Sequence, residues 1–365
     1  MNSKILIIGS TGKLGSMLIN YCKRNNLNVF CITCYKNKNK MTSQSKSLEI
    51  KNTFHLEDSN QKKLFINFLK NNKFKIIYFL DYGSFSLKYI DILLKNNSNS
   101  IFAIANKEMI IAGGNILINK IYRTKNSLIP LDSEHFSLQK IKLNNTEIKK
   151  VFITASGGPF YFKKKVKLNN VSLKSVLNHP KWDMGYNNSI DSSNFINKVL
   201  EMFELSTIYN INLKNIDFLV SENAYVHSII LYQDNTITLN CFNNNMLVPL
   251  IKPLTIYFNS KNLIINHSNL FDMKNFKLES FNDKRFKISS HLKKFMNLNH
   301  SQQINFMILN NKAHNLYINK KIKYSQIIDF IVENLFKDKK IVKLNSFNDI
   351  LKYIYFLELK YENIS

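Results

Sequence analysis

The sequence lacks most features of secreted, membrane or disulfide-rich proteins. No apolar run approaches the roughly 18 residues of a membrane-spanning helix, and no signal-peptide pattern precedes the first β-branched run. Four cysteines in 365 residues are too few for a disulfide framework. Cys31 and Cys34 have redox spacing, but their apolar context favours a buried strand. We therefore expect a cytoplasmic protein of bacterial or endosymbiont type.

Acidic residues are scarce: 25 Asp and Glu stand against 51 Lys and Arg, a net charge of +26. Such a balance is typical of proteins that bind nucleic acid or anionic surfaces. However, the chain has no Arg-rich block or zinc-finger spacing, and the excess of Lys accompanies an excess of Asn, Ile, Phe and Tyr, as A/T-rich codons would produce. We expect neither nucleic acid nor a membrane as the partner, while the positive field favours phosphorylated substrates.

Strands and helices alternate along the first third of the chain, which predicts a doubly wound α/β sheet of the Rossmann type. The predicted strands are Lys4–Ile8, Asn28–Thr33, Lys75–Leu80 and Ser100–Ala105, and helices are predicted at Gln61–Asn71 and Leu87–Asn96. A further strand is expected at Lys150–Ala155. The last third predicts helices at Ile288–Met296, Gln302–Leu309, Tyr324–Phe336 and Phe347–Leu359.

These patterns predict four consecutive segments. Residues 1–130 form a Rossmann-like cofactor domain, and 131–260 form an α+β catalytic domain. Residues 261–284 are polar without a steady period and are interpreted as a linker. Residues 285–365 form a small helical domain.

A glycine turn follows the first strand, with the spacing G-x-x-G-x-x-G from Gly9 to Gly15, and a helix follows it. This context predicts a dinucleotide site, since glycines let backbone N–H groups approach a pyrophosphate at the helix N-terminus. A glycine turn without a ligand is the alternative.

The region after the second strand indicates the choice of cofactor. NAD sites usually carry an acidic residue there for the ribose 2′-hydroxyl, but no acidic residue precedes Glu49. Lys36 and Asn37 suit a 2′-phosphate instead, so the sequence predicts NADPH. The alternative is that these lysines only reflect the general excess of Lys.

The stretch Leu128–His135 consists of an apolar run followed by an acid, a hydroxyl, a second acid and a histidine. If it is a strand, Asp132 and Glu134 share a face, and two carboxylates so placed form half of a site for Mg²⁺ or Mn²⁺. A solvated turn with an Asp cap is the alternative.

Three later stretches complete the expected site. Ser156–Phe160 offers a hydroxyl and exposed backbone donors that suit an anion, or is an ordinary turn. The loop His179–Gly185 carries the single tryptophan and is a candidate lid, with core packing as the alternative. In Ile190–Glu204, Asp191 or Ser192 is expected to cap a helix that presents Asn194, Asn197, Lys198 and Glu201 on one face, with an ordinary solvated polar face as the alternative.

Taken in order, these motifs resemble the 1-deoxy-D-xylulose 5-phosphate reductoisomerases, NADPH- and divalent-metal-dependent enzymes of the methylerythritol phosphate route to isoprenoid precursors. The resemblance covers residues 1–255 well and the remainder weakly. It implies rearrangement and reduction of 1-deoxy-D-xylulose 5-phosphate to 2-C-methyl-D-erythritol 4-phosphate. It also implies a homodimer that uses Mn²⁺ or Mg²⁺, with Co²⁺ as a further alternative.

The resemblance also implies roles for individual residues. The metal ligands are Asp132, Glu134 and Glu201, which form the catalytic set together with Lys107. Substrate contacts are expected from Ser133, Ser156, His179, Trp182, Met184, Ser192, Asn197 and Lys198, of which Ser156, Ser192, Asn197 and Lys198 bind the phosphate. Cofactor contacts are expected from Gly9, Ser10, Thr11, Gly12, Lys13, Leu14, Gly15, Lys36, Asn37, Asn106, Glu108 and Gly185.

The chain departs from the family pattern at Asp81–Ser84 beside the cofactor, at Lys13 in the glycine turn, at Asp183 in the lid, at Ser221–Ala224 and at Asn311–Ala313. Two other functions stay open on the sequence. One is an NADPH-dependent dehydrogenase of another small aldehyde, of the semialdehyde or homoserine type, which would need no triple carboxylate. The other is a degenerate basic protein that binds RNA or a partner without turnover.

Overall fold

The structure is a computed structural model that describes residues 4–141, 147–178, 185–259, 277–337 and 341–364. The chain forms two compact units. The first comprises Met1–Lys140 and Asn243–Asp272, and the second comprises Ile141–Phe242 and Met273–Ser365. In the described ranges no helix is long and apolar enough to cross a membrane.

The first unit is built on six parallel strands: β1 (Ile5–Ile8), β2 (Cys31–Cys34), β3 (Asn52–His55), β4 (Ile76–Phe79), β5 (Ile101–Ile104) and β6 (Ser127–Pro130). Their order in the sheet is β3-β2-β1-β4-β5-β6. β1, β2, β4 and β5 are buried at every position, as expected of a parallel sheet covered on both faces. This confirms the predicted doubly wound sheet, whose strand order reverses between β1 and β4.

Helices connect these strands: α1 (Lys13–Arg24), α2 (Lys38–Ser47), α3 (Ser59–Asn71), α4 (Leu87–Asn96), α5 (Lys107–Arg123) and, after β6, α6 (Ser133–Leu138). The amphipathic pattern of α4 explains its position, because Leu87, Ile90, Leu93 and Leu94 are buried on one side.

The chain returns to the first unit at α10 (Leu247–Phe258), which packs against α1, β4 and β5. The buried Tyr78 of β4 donates its hydroxyl hydrogen to the carbonyl of Leu250, at 2.9 Å. Residues 243–259 therefore belong with the cofactor half, and not with the catalytic segment 131–260 in which the sequence pattern placed them.

The second unit holds a five-stranded mixed sheet of β7 (Ile148–Ala155), β8 (Ile216–Val220), β9 (Val226–Tyr232), β10 (Ile237–Cys241) and β11 (Glu279–Ser280). Their order is β10-β9-β7-β8-β11. β7 and β8 run parallel, whereas the other pairs are antiparallel. The strand predicted at Lys150–Ala155 is confirmed as the end of β7.

Helices of the second unit are α7 (Leu173–Leu177), α8 (Tyr186–Asn194), α9 (Ile196–Tyr209), α11 (Leu292–Phe295), α12 (His300–Ile318), α13 (Ile327–Leu335) and α14 (Phe347–Glu362). A 3-10 turn, Tyr324–Gln326, precedes α13. The helical character of the C-terminal region is thus confirmed, but the region belongs to the same compact unit as the five-stranded sheet and not to a domain of its own.

The linker interpretation of residues 261–284 is wrong where the structure describes that segment near its end. Glu279 and Ser280 pair with Val220 and Leu219 of β8. The ring of Phe281 lies 4.4 Å from that of Phe195, measured between centroids. A two-residue strand is too short to show a periodicity in the sequence, so the polar composition of this segment resembles that of a linker.

Candidate functional site

The glycine turn after β1 is tightly constrained by its surroundings. Gly9 has φ of 88°, and a Cβ there would lie 2.6 Å from the backbone nitrogen of Asp81. A Cβ on Gly15 would lie 2.3 Å from the carbonyl oxygen of Gly9. Only glycine fits at either position, so the turn packs directly against the start of α1.

The remaining residues of the turn divide between structural and exposed positions. Ser10 is fully buried, and its hydroxyl donates to Gln44 of α2 at 2.8 Å, so this side chain fixes the turn to α2. Gly12 is the N-cap of α1, which begins at Lys13. Thr11, Gly12, Lys13 and Leu14 are at least partly exposed, whereas Gly15 is buried.

Lys36 and Asn37 lie where β2 ends and α2 begins. Asn37 is the N-cap of α2, and its side chain accepts a hydrogen bond from the backbone nitrogen of Lys40 at 3.0 Å. A surface cavity of about 380 Å³ is lined by Lys36, Asn37, Lys38 and Asn39. Two ammonium groups and a helix N-terminus make this cavity electropositive, which suits a phosphate group.

Asp81 follows β4 and faces the glycine turn through its backbone. Its Oδ2 accepts a hydrogen bond from the Ser86 hydroxyl at 2.7 Å. Burial raises the pKa of Asp81 to about 6, and hydrogen bonds from Ser86 and Asn106 oppose this rise. The carboxyl group that departs from the family pattern is therefore partly protonated near neutral pH.

Asn106 is the N-cap of α5. Its side chain accepts from the backbone nitrogen of Met109 at 2.9 Å and donates to the carbonyl of Gly83 at 2.7 Å. Glu108 is buried in the same turn. The side chain of Asn106 therefore ties the loop after β4 to the start of α5.

The buried Lys107 and the partly buried Asp132 form an ion pair at the carboxyl ends of β5 and β6, with 3.1 Å between Nζ and Oδ2. The Nδ1 atom of His135 lies 3.4 Å from Oδ1 of the same carboxylate. Burial alone would raise the pKa of Asp132, but the charge of Lys107 and the contact with His135 outweigh it and hold this pKa well below its usual range. The carboxylate is therefore ionised, as a metal ligand must be.

The predicted alternation of side chains across Leu128–His135 is wrong, because the strand ends at Pro130. Asp132 is the N-cap of α6, which begins at Ser133. Glu134 lies in the first turn of that helix, where its carboxylate accepts a hydrogen bond from the Ser133 hydroxyl. The two carboxylates are neighbours through a helix cap, not through the faces of a strand.

In the second unit, the loop after β7 meets α8 through backbone contacts. Ser156 directly follows β7, and Gly157 and Gly158 have φ of 83° and 56°. A Cβ on Gly158 would lie 2.7 Å from the carbonyl oxygen of Ser192. The glycine thus permits the Ser156 loop to approach Ser192, and the two predicted phosphate contacts lie on adjacent backbones.

The helix predicted from Asp191 onward is divided in two. α8 begins after the N-cap Gly185, so neither Asp191 nor Ser192 is a cap. Phe195 adopts a left-handed conformation, with φ of 67°, and separates α8 from α9. Asn194 ends α8 and accepts a hydrogen bond from the nitrogen of Ile196.

Glu201 is held on α9 by two of its predicted neighbours. Oε1 accepts from the amide of Asn197, and Oε2 accepts from the ammonium of Lys198. Glu201 and Lys198 are both buried. The predicted shared face is therefore confirmed for Asn197, Lys198 and Glu201, and it places a buried acid beside a positive charge. Asn194, which was predicted on the same face, lies instead at the end of α8.

The structure thus assembles one group in each unit. In the first unit it brings together Lys107, Asp132, Ser133 and Glu134, and in the second it brings together Asn197, Lys198 and Glu201, with Ser156 close to Ser192. His179, Trp182 and Met184 lie outside the described residues. Sequence reasoning did not assign a role to His135, although its i, i+3 spacing from Asp132 was a usable signal.

Comparison with known proteins gives a consistent result. Residues 128–209 match the family model described as the 1-deoxy-D-xylulose 5-phosphate reductoisomerase C-terminal domain. The reductoisomerase of Pelagibacter ubique is 30% identical over 380 residues, which cover 96% of this chain and 97% of the relative. The reductoisomerase of Agathobacter rectalis is 28% identical, over 95% and 96% respectively.

Solved structures show the same fold. A DOX-P reductoisomerase in complex with NADPH, fosmidomycin and magnesium superimposes with a TM-score of 0.85 at 20% identity, over 99% of this chain and 97% of that one. The enzyme from Zymomonas mobilis, in complex with NADPH, gives a TM-score of 0.80 at 19% identity, over 99% and 98%. The predicted α/β fold with its helical C-terminal region is confirmed by these likenesses.

Proposed function

The chain belongs to the 1-deoxy-D-xylulose 5-phosphate reductoisomerase family, and on that basis we propose that it catalyses the reaction of that family. It rearranges 1-deoxy-D-xylulose 5-phosphate and reduces the product with NADPH to 2-C-methyl-D-erythritol 4-phosphate, in the methylerythritol phosphate pathway. The observation that carries this assignment is the match to a reductoisomerase at 30% identity over nearly the whole chain. No observation favours another aldehyde substrate or a protein without turnover.

The first unit suits NADPH. Gly9 and Gly15 allow the turn to pack tightly against the start of α1, where the helix N-terminus favours a pyrophosphate. Lys36 and Lys38 line the electropositive cavity at the end of β2, where a 2′-phosphate would be neutralised. Asn37 and Asn39 supply neutral hydrogen-bonding groups at the same place.

The carboxylates Asp132, Glu134 and Glu201 are our proposed ligands for Mg²⁺ or Mn²⁺. Oxygen donors are what these hard cations prefer. Asp132 is held ionised by Lys107, and Glu201 is buried beside Lys198. Since each carboxylate oxygen has two lone pairs, it can accept a hydrogen bond and still offer a pair to a cation.

The phosphate of the substrate is assigned to Ser156, Ser192, Asn197 and Lys198. Asn197 and Lys198 lie in the first turn of α9, where the positive end of the helix dipole favours an anion. Gly158 allows the hydroxyl-bearing loop of Ser156 to approach Ser192. Holding the phosphate here orients the rest of the sugar without taking part in the bond changes.

When bound, the divalent cation polarises the hydroxyketone of the substrate, and NADPH supplies the reducing equivalent. The protein's own contribution is orientation and charge. Lys107 keeps Asp132 ionised and presents a positive charge to substrate oxygens, and Ser133 offers a hydroxyl next to Glu134. Lys198 forms an ion pair with Glu201 and adds a positive charge beside the proposed phosphate position.

The proposed function is tested by NADPH oxidation at about 340 nm with 1-deoxy-D-xylulose 5-phosphate, with and without Mn²⁺. We expect oxidation that depends on both the substrate and the metal. A folded protein that binds NADPH and oxidises none of it under these conditions would contradict the assignment.

We further propose that the protein is a homodimer. Among the residues that the structure describes, β10 pairs only with β9 and is therefore an edge strand. Its side chains Ile237 and Leu239 are 62% and 48% exposed. Apolar residues on an open sheet edge suit pairing with a second copy. Light scattering should give twice the monomer mass, and Ile237→Lys should lower it, whereas Leu64→Lys, at another exposed leucine, should not.

A cytoplasmic location is proposed on two grounds. The cysteines Cys22, Cys31, Cys34 and Cys241 are free thiols, as in a reducing compartment, and the curated relatives are bacterial. Fractionation of the host cells with antibody detection tests this location, and recovery in a membrane or secreted fraction would refute it.

A further inference from the structure

The C-terminal helical segment contacts both neighbours of Ser192 in the chain. Asp191 and Ser193 lie on α8 on either side of Ser192 and are buried. The partners of Asp191 are His314 and Asn310 on α12, and the partner of Ser193 is Tyr324. All of these residues belong to the second unit.

Asp191 is held by two donors at a single oxygen. Its Oδ1 accepts from Nδ2 of Asn310 at 2.9 Å and from Nε2 of His314 at 2.8 Å. The three side chains are each no more than 1% exposed. In such a dry environment a carboxylate is stable only where its donors keep their places, so the contact fixes α8 against α12.

Ser193 is also held by a side chain of the C-terminal helical segment. Its hydroxyl donates to the carbonyl of Ile190 at 2.7 Å and lies 3.0 Å from the hydroxyl of Tyr324. Because a serine hydroxyl has one hydrogen, the Tyr324 hydroxyl is the donor in this second bond. Tyr324 is itself buried.

Tyr324 also contacts the other phosphate loop. Its ring packs edge-on against Phe160, with 5.8 Å between centroids, and Phe160 ends the Ser156–Phe160 loop. One side chain therefore touches both backbone segments that carry the proposed phosphate hydroxyls, Ser156 and Ser192.

We propose that Tyr324 and His314 are positioning residues that set the place of Ser192, and through Phe160 that of Ser156, for the phosphate of the substrate. This inference rests on the proposed function. In this proposal the C-terminal helical segment holds the phosphate-binding backbone in place and does not contact the substrate.

The test compares two buried tyrosines that differ in their partners. Tyr324→Phe removes only the hydroxyl that reaches Ser193. Tyr317→Phe is the matched control, because it keeps the ring that packs against Tyr324 and removes only a hydroxyl that donates to the carbonyl of Val171, at 2.9 Å, and not to α8. Both variants are assayed as the full chain for turnover with 1-deoxy-D-xylulose 5-phosphate and for the affinity for inorganic phosphate by titration calorimetry.

We expect Tyr324→Phe to raise the KM for the sugar phosphate and the Kd for inorganic phosphate by the same factor, about fivefold, which is the usual effect of one hydrogen bond. The KM for NADPH and kcat should change less than twofold, and Tyr317→Phe should match the wild type. A merely structural role would reduce the amount of folded enzyme and therefore kcat, while KM and Kd stayed constant.

His314 supplies a second, independent variant pair. His314→Leu removes the donor to Asp191 and should raise the same two constants about tenfold, while His314→Gln retains a donor and should restore part of the affinity. Unchanged constants in Tyr324→Phe and His314→Leu, or an equal rise in Tyr317→Phe, would overturn the proposal. Because phosphate binding requires no turnover, a wild type that binds phosphate but does not oxidise NADPH would refute the function alone.

Discussion

Asp81 provides a quantitative test of the electrostatics around the cofactor turn. Burial raises its pKa from 3.8 to about 6, whereas in the unfolded chain the carboxyl titrates at its ordinary value. Asp81→Asn keeps the shape and retains an acceptor for the Ser86 hydroxyl, but it removes the charge. The variant therefore isolates the free-energy cost of ionising this buried carboxyl.

The sign of the effect follows from linkage. A group whose pKa is higher in the folded state contributes stability that is complete below the unfolded pKa and is lost as pH rises through the folded pKa. A shift of about two units corresponds to about 3 kcal/mol, all of it lost by roughly pH 7 to 8. About 1.6 kcal/mol of this loss is already present at pH 5, so roughly 1.3 kcal/mol develops between pH 5 and 7.

The assay is urea unfolding of wild type and Asp81→Asn at several pH values, with each transition fitted separately because the two units need not unfold together. The difference between the free energies of unfolding, variant minus wild type, should increase by about 1.3 kcal/mol from pH 5 to 7. Asp91→Asn is the control, since Asp91 on α4 is half-exposed and paired with Lys120, and should show no such trend. Parallel pH profiles for wild type and Asp81→Asn would refute the reasoning.

Three further predictions concern the proposed ligands. Glu134→Gln should lower turnover by more than about a hundredfold while the Kd for NADPH stays within twofold, because the metal and cofactor groups are separate; turnover that survives would refute the metal assignment. Lys36→Glu should weaken NADPH binding about tenfold more than NADH binding, because it removes a positive charge that would face the 2′-phosphate. Equal effects on the two cofactors, measured by fluorescence titration, would count against this role of Lys36. Gly15→Ala should abolish NADPH binding and destabilise the fold by about 1–3 kcal/mol, because its Cβ would lie 2.3 Å from the carbonyl oxygen of Gly9. A stable variant that binds NADPH normally would contradict the proposed role of the glycine turn.

The parts of the fold that the sequence predicts are those with a local signal. The buried runs of β1, β4 and β5 are apolar at every position, and the glycine turn has a fixed spacing. The face shared by Asn197, Lys198 and Glu201 follows from helical periodicity and is confirmed by their hydrogen bonds.

The parts that the sequence does not predict depend on contacts between distant residues. Gly185 caps α8 through its backbone alone, so the sequence pattern placed the helix start at Asp191 instead. The side chain of Asp191 forms a hydrogen bond with His314, which lies more than a hundred residues later in the sequence. Likewise, β11 is a strand only because β8 lies beside it.

The hydrogen bond between Tyr78 and Leu250 spans 172 residues of sequence, and this has a consequence for folding during synthesis. The parallel sheet of the first unit can form early, but the part of its face that α10 covers, at β4 and β5, remains open until α10 has left the ribosome, after about two thirds of the chain. Contacts of such long range slow folding and leave apolar surface exposed in the meantime. A chain cut after residue 140 would keep that face uncovered, so the cofactor half should be expressed with residues 243–259 attached by a short linker if it is to be obtained alone.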